Sequence, residues 1–146
     1  MEKESQKSVS MANGSSSMVD KEITVSVPMI TYGHEAYIEE AINGVLNQEC
    51  KFNVELIIAD DQSPDNTEEV VKNFLKDHPR KHWVKYTRHK ENKYMYKNAQ
   101  WSLDECRGKY IAICEGEDYW SDPLKLQKQV DFLEENPDIG MVYTKA

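Results

Sequence analysis

The sequence has no continuous apolar stretch approaching the roughly 20 residues that a bilayer crossing needs, so no membrane span is expected within this chain. Cysteine is scarce. Cys50, Cys106 and Cys114 form no CxxC pair and share no zinc-like spacing with a histidine, which argues against a zinc ribbon and a disulfide scaffold and suits a reducing, cytoplasmic setting, with peripheral membrane association left open. Cys106 and Cys114 stand among mostly apolar neighbours and read as small core residues. Glycine is also rare, with 6 residues in 146. The glycine-built phosphate loops, GxGxxG and GxxxxGK followed by Ser or Thr, are both absent, which excludes a dinucleotide dehydrogenase and a P-loop enzyme. Positive charge is outnumbered, 18 Lys and Arg against 26 Asp and Glu, for a formal net charge of −8. A nucleic-acid partner demands a basic face and is not expected.

What is present is the composition of a globular domain: 39% hydrophobic, 10% aromatic and 30% charged residues. The length fits one domain, commonly about 100–150 residues. Residues 1–22 are rich in Ser, Lys and Glu and read as a flexible leader, leaving 23–146 as the domain. The densest basic stretch, Arg80 to Lys97 with Trp83, Tyr86, Tyr94 and Tyr96 interleaved, reads as a solvated face over core aromatics. His34, His78, His82 and His89 lie in polar surroundings at no shared spacing and read as surface residues.

Ile23 to Met29 alternates as a β-strand does and meets Pro28 as at a strand's exit. Ile38, Ala41, Ile42, Val45 and Leu46 then recur at helical spacing behind Glu35, Glu39 and Glu40, which predicts a helix over about Glu35 to Gln48. Val54 to Ala59 is a near-continuous apolar run, as in a strand covered on both faces. Asp65 and Glu68 have the spacing of a capping pair for a helix carrying Val70, Val71, Phe74 and Leu75. Further on, the pattern predicts a weaker strand over His82 to Thr87, a helix over Met95 to Cys106, a strand over Lys109 to Cys114, a helix over Asp122 to Asn136 and a short strand over Ile139 to Tyr143. Such alternation predicts an α/β fold, a mostly parallel sheet with helices on both faces. Ligands bind these sheets beyond the carboxyl ends of the strands, here the segments around Ile30 to His34, Asp60 to Asp65 and Glu115 to Asp122.

Those ends carry carboxylates, Asp60-Asp61 and Glu115-Gly116-Glu117-Asp118. Carboxylates repel a diphosphate but can hold the divalent cation that binds one, and Mg²⁺ or Mn²⁺ prefers hard oxygen ligands. Asp61 can also accept hydrogen bonds from a base or ribose. Tyr119 and Trp120 read as core packing beside this acidic turn.

The pieces Val25-Ser26-Val27-Pro28, Thr31-Tyr32, Ile38-Glu39-Glu40-Ala41-Ile42, Val45-Leu46-Asn47-Gln48 and Glu55 to Thr67 resemble, in that order, the opening of family 2 glycosyltransferases. Gly108 to Ala112, then Glu115 to Trp120 and Asp122 to Leu126, is similar to that family's metal-binding region. The resemblance runs from about Ile23 to the last residue. It implies a GT-A fold that binds a nucleotide-activated sugar, typically a UDP-sugar, and transfers the sugar with inversion to the hydroxyl of a carbohydrate or lipid-linked acceptor. Mn²⁺ or Mg²⁺ is the implied cofactor, and cell-surface polysaccharide synthesis the implied setting. Residue by residue, Pro28 and Tyr32 match the base-contacting turn, Asp61 the carboxylate that reads the nucleobase, and Lys97 a basic residue near the nucleotide. Glu117 and Asp118 match the acidic pair at the metal, with Asp118 the expected direct ligand. No catalytic base is assigned.

Two departures bear on activity. Positions 115 and 117 are glutamates where the family usually has aspartates, and each adds a methylene of reach. The sequence also stops before the region that in this family supplies the acceptor site and the base, so the chain reads as truncated at its C-terminus. A non-catalytic binding module is the first alternative. A nucleotidyltransferase is the second, weakened by the lack of a Gly-rich basic loop after the first strand. A sheet edge left open would allow a homodimer.

Overall fold

β1 (Val25–Thr31) and β2 (Val54–Asp60) pair in parallel along their whole length, Val25 opposite Val54 through Thr31 opposite Asp60. This computed structural model describes residues 22–144, so the expected leader lies outside the described residues except for Glu22. β3 (Val84–Arg88) adds to β2, and β4 (Tyr110–Ile111) adds to β1, both in parallel, giving the order β3-β2-β1-β4. Parallel strands need crossovers, which α1 (Ile38–Leu46), α2 (Thr67–Leu75) and α3 (Tyr94–Asp104) supply, with α4 (Lys125–Glu135) following β4.

Successive side chains of a strand face opposite sides, and the core follows that rule. Val25, Val27 and Met29 of β1 and Val54, Leu56 and Ile58 of β2 pack with Ile38, Ala41, Ile42 and Val45 of α1, Val71 of α2, and Leu126 and Val130 of α4. The other face is covered by α3, whose buried Asn98 donates its side-chain amide to the Ala59 carbonyl at 2.9 Å. The sheet thus carries helices on both faces, as the alternation of elements predicts. α1 is closed at its C-terminus from a distance. The Arg80 guanidinium donates to the Leu46 and Gln48 carbonyls at 2.8 and 2.6 Å and lies over the Trp83 ring at 4.4 Å.

Four expectations are corrected. Pro28 is not at the exit of β1 but at its centre, fully within the β1–β2 ladder. Its missing N–H explains why β4 is two residues and not the expected Lys109 to Cys114. The amides of Ala112, Cys114 and Gly116 still donate to the carbonyls of Ser26, Pro28 and Ile30 at 2.9, 3.3 and 3.0 Å, but no donor at Pro28 returns a bond, so the regular ladder stops at Ile111. The α1 helix begins at Ile38 and not Glu35, because Glu35 to Tyr37 form a turn. Among the described residues, Ile139 to Tyr143 forms no strand, and Met141 and Tyr143 are 79% and 85% exposed, so the apolar pattern there meets no partner layer.

Candidate functional site

The loops that leave β1 and β2 are stitched together by backbone donors. Gly33 N–H reaches the Ser63 hydroxyl at 3.0 Å, His34 N–H the Thr67 hydroxyl at 3.0 Å and Glu35 N–H the Asp65 carboxylate at 3.1 Å. Asp65 in turn accepts the Thr67 amide and hydroxyl at 3.1 and 2.6 Å, which keeps its carboxyl below the ordinary range despite the opposing effect of burial. The expected capping pair does not form: Asn66 precedes α2 without a side-chain cap, Asp65 serves Thr67 and the β1 loop, and Glu68 pairs with Lys72 and Arg88. Among the described residues, two that are not glycine sit in left-handed backbone, Gln62 at φ 64° and Tyr94 at φ 65°. Such conformations persist only where the surroundings impose them and concentrate at functional sites.

Asp60 and Asp61 divide the work. Asp60 is fully buried, accepting the Tyr86 hydroxyl at 2.6 Å and the Ser63 amide at 2.8 Å. Burial and the Asp60 carboxylate together push the Tyr86 phenol far above its ordinary pKa, so it stays a donor. Asp61 points to the strand ends. Its two carboxylate oxygens accept the Lys93 and Tyr94 amides at 2.5 and 2.8 Å, and its carbonyl accepts the Asn92 side chain at 2.9 Å. It thereby fixes the entry of α3, and each oxygen retains a lone pair for a ligand.

A cavity of about 340 Å³ opens at these carboxyl ends, within the size range of small-molecule sites. Its lining combines Ile30, Thr31 and Asn98 with the aromatic and apolar side chains of Tyr32, Tyr94 and Met95 and the carboxylates of Asp61, Glu115 and Glu117. Of the residues the sequence proposes, Tyr32, Asp61 and Glu117 are brought together here. Pro28 is not, being sealed in β1. Lys97 lies in an adjoining depression with His89, Lys90 and Lys93. Asp118 is absent from the lining because its carboxylate is turned back to accept the Glu115 amide at 3.1 Å, closing a turn in which its own amide donates to the Glu115 carbonyl. Trp120 packs against the core as expected, whereas Tyr119 is 59% exposed and does not.

The sequence reading missed two histidines. His34 is not a surface residue: it lines the cavity, sharing a 2.9 Å hydrogen bond with Thr31 through Nδ1 and facing the Glu117 carboxylate at 3.9 Å through Nε2. His89 is buried, with its ring edge-on to Trp101 and Nε2 at 2.7 Å from the Asn98 side-chain oxygen Oδ1. Because the Asn98 amide is committed to Ala59, His89 is the donor of that bond. Polar neighbours in sequence concealed both, since Glu117 reaches His34 from the acidic turn and Asn98 and Trp101 reach His89 from α3.

Among the described residues, no three His, Cys, Asp or Glu side chains gather into a ready cage for a metal. Glu115 and Glu117 do both line the cavity, and Mg²⁺-like ions are commonly held by one or two carboxylates with ligand phosphates and water completing the shell. The donor set therefore fits a cation that arrives with a phosphate.

A family model described as glycosyl transferase family 2 matches residues 26–145. The chain belongs to that family. An uncharacterized protein of Mycobacterium tuberculosis is 40% identical to this family 2 chain over 119 residues, covering 82% of the chain and 34% of the relative. The chain thus spans about a third of the length of the curated relatives it matches first. S. aureus TarS 1-349 in complex with UDP superposes with a TM-score of 0.68 at 24% identity, over 79% of this chain and 33% of that one. The mannosyltransferase PcManGT from Pyrobaculum calidifontis, in complex with GDP-Man and Mn²⁺, gives 0.67 at 20% identity, over 78% and 33%. At those identities the likeness shows the fold, which is GT-A. Among the described residues no helix is long and apolar enough to cross a membrane.

Proposed function

We propose that this family 2 chain is the donor-binding part of a glycosyltransferase, taking a sugar from a nucleoside-diphosphate sugar, UDP-linked by preference, and passing it with inversion to an acceptor hydroxyl of a carbohydrate or lipid-linked molecule. The observation that carries the reading is the cavity itself: aromatic side chains and carboxylates lining one space at the carboxyl ends of a parallel sheet. Tyr32 and Tyr94, 53% and 75% exposed at its mouth, offer the apolar faces a base stacks on, and Asp61 offers acceptor lone pairs to the base or ribose. The carboxylates would repel a bare diphosphate, so Glu117 and Glu115 are assigned to a Mn²⁺ or Mg²⁺ ion, with Asp118 holding the turn that presents them. When bound, that ion supplies charge stabilisation for the departing diphosphate. The chain's own residues do the rest: Asp61 and Asn92 set the α3 entry, and Lys97 with Lys93 and Lys90 supplies a cationic flank beside the acidic site.

Calorimetric titration of the chain with UDP, with and without Mn²⁺, tests this. Mn²⁺-dependent binding that weakens at least about tenfold in Glu117→Ala, in line with the loss of a ligand to the metal, is the expected result. Absence of binding to UDP and to other nucleoside diphosphates would replace the reading with a GT-A module that has lost its donor.

A further inference from the structure

His34 is the polar residue of the cavity that the donor-binding reading leaves without a task. Its backbone is held on both sides: its amide donates to Thr67, and its carbonyl accepts the Tyr37 and Ile38 amides that open α1. Its ring is wedged as well. Gly116 approaches so closely that a Cβ there would stand 2.8 Å from His34 Nδ1 and 2.7 Å from Thr31 Oγ1. A side chain fixed this firmly presents one free atom in one direction. In the tautomer in which the Thr31 hydroxyl donates to Nδ1, the neutral ring carries its proton on Nε2, the nitrogen that faces the Glu117 carboxylate at 3.9 Å.

Glu117 is the reverse case, with its side chain 58% exposed and no hydrogen bond among the described residues. A contact so exposed and so long contributes little to stability, so stability does not account for the pairing. Orientation does. The lever needed to turn a mobile glutamate toward a cation is a donor on a rigid support, as partners of metal-ligating carboxylates usually are. The longer side chain at 117 is also what brings the carboxylate within reach of the ring, since an aspartate falls about one C–C bond short.

We propose that His34 is the positioning residue for Glu117: its Nε2–H orients the carboxylate into the cavity, and the glutamate at 117 is matched to that imidazole. The metal-facing role of Glu117 rests on the donor-binding reading, whereas the His34–Glu117 coupling does not.

The two are therefore tested separately. In the metal-free chain, carbon-detected NMR of the Glu117 side chain reads its rotamer averaging in the native protein, in His34→Gln and in His34→Asn. Gln places its amide near the position of Nε2, and Asn near that of Nδ1. A single preferred rotamer in the native chain and in His34→Gln, lost in His34→Asn, is expected; equal averaging in all three overturns the proposal. The second arm measures Mn²⁺ affinity in the presence of UDP. Here His34→Asn should weaken Mn²⁺ about tenfold or more while His34→Gln stays within about threefold, and Glu117→Asp should weaken it in the native background but not further in His34→Asn. Additive losses in the double variant overturn the matching of the two residues. Should no variant and not the native chain bind Mn²⁺ with UDP, the donor-binding reading fails, and the metal-free arm still decides the coupling.

Discussion

At the scale of single residues, the site depends on one close approach. Gly116 lies in the acidic turn with its amide donating to the Ile30 carbonyl at 3.0 Å. A methyl group there would meet Thr31 Oγ1, Thr31 Cβ and His34 Nδ1 all within 2.9 Å. Thr31 is 1% exposed and has nowhere to retreat. Gly116→Ala should therefore cost about 1–3 kcal/mol, as overpacking of a filled site does, and urea unfolding reads it directly; an unchanged midpoint would mean that the turn slides off the sheet without penalty. The carboxylates on either side of this glycine were legible in the sequence, because acidic residues at the end of a buried strand in an α/β pattern point to a site. The glycine's purpose was not, since the atoms it must clear belong to residues 80 or more positions earlier in the chain. The same distance hid the approach of His34 to Glu117, whereas His89 was hidden at short range, because its partners Asn98 and Trp101 face it only once α3 has folded.

At the scale of elements, α3 shows how the cavity wall is set. The first turn of a helix leaves backbone donors unpaired, and here the acceptor comes not from the residue before the helix but from Asp61, in the loop after β2. Tyr94, in left-handed backbone, donates to both Asp61 and Asn92. Asp61→Ala should release the amides of Lys93 and Tyr94, with a loss of about 0.5–2 kcal/mol typical of a removed cap. Hydrogen exchange should then show faster exchange at those two amides and unchanged protection along β1 and β2. Uniformly faster exchange would assign Asp61 to the whole sheet. The core of α1, β2 and α2 was legible from periodicity alone, because each buries one apolar stripe or run. Element ends were less so: β4 stops where Pro28 on the neighbouring strand lacks a donor, which no pattern within residues 109–114 can reveal. The segment from Ile139 to Tyr143 has strand-like composition but no ladder among the described residues, since composition without a partner strand makes no strand.

At the scale of the molecule, the two ends of the sheet do different things. The carboxyl end gathers the strained loops, the carboxylates and the cavity. Toward the amino end, Glu55 of β2 is 5% exposed and carries the buried charge that ties β1, β2 and the approach to β4 together. Its Oε1 accepts the Ser26 hydroxyl at 2.6 Å and the Arg107 amide at 2.8 Å, and its Oε2 accepts the Arg107 guanidinium at 3.0 and 2.8 Å. Burial alone would raise the Glu55 pKa, but the bonds from Ser26 and Arg107 outweigh it and hold the carboxyl below its ordinary value. A depressed folded-state pKa contributes stability that is complete above the unfolded value, about 4.3 for glutamate, and is lost as pH falls through the lower folded value. Glu55→Gln should thus cost about 1.5–3 kcal/mol near pH 7, the range for a hydrogen bond to a charged group, and the gap between native and variant should narrow as the solution is acidified below about 4.3. Urea titrations from pH 7 to pH 3 measure it, and a gap constant across that range would place the stabilising contacts with the neutral acid instead. Because Ser26, Glu55 and Arg107 lie outside the cavity lining, the same substitution should leave the affinity for UDP with Mn²⁺ within about twofold wherever the variant is folded, as expected of separated sites without shared partners.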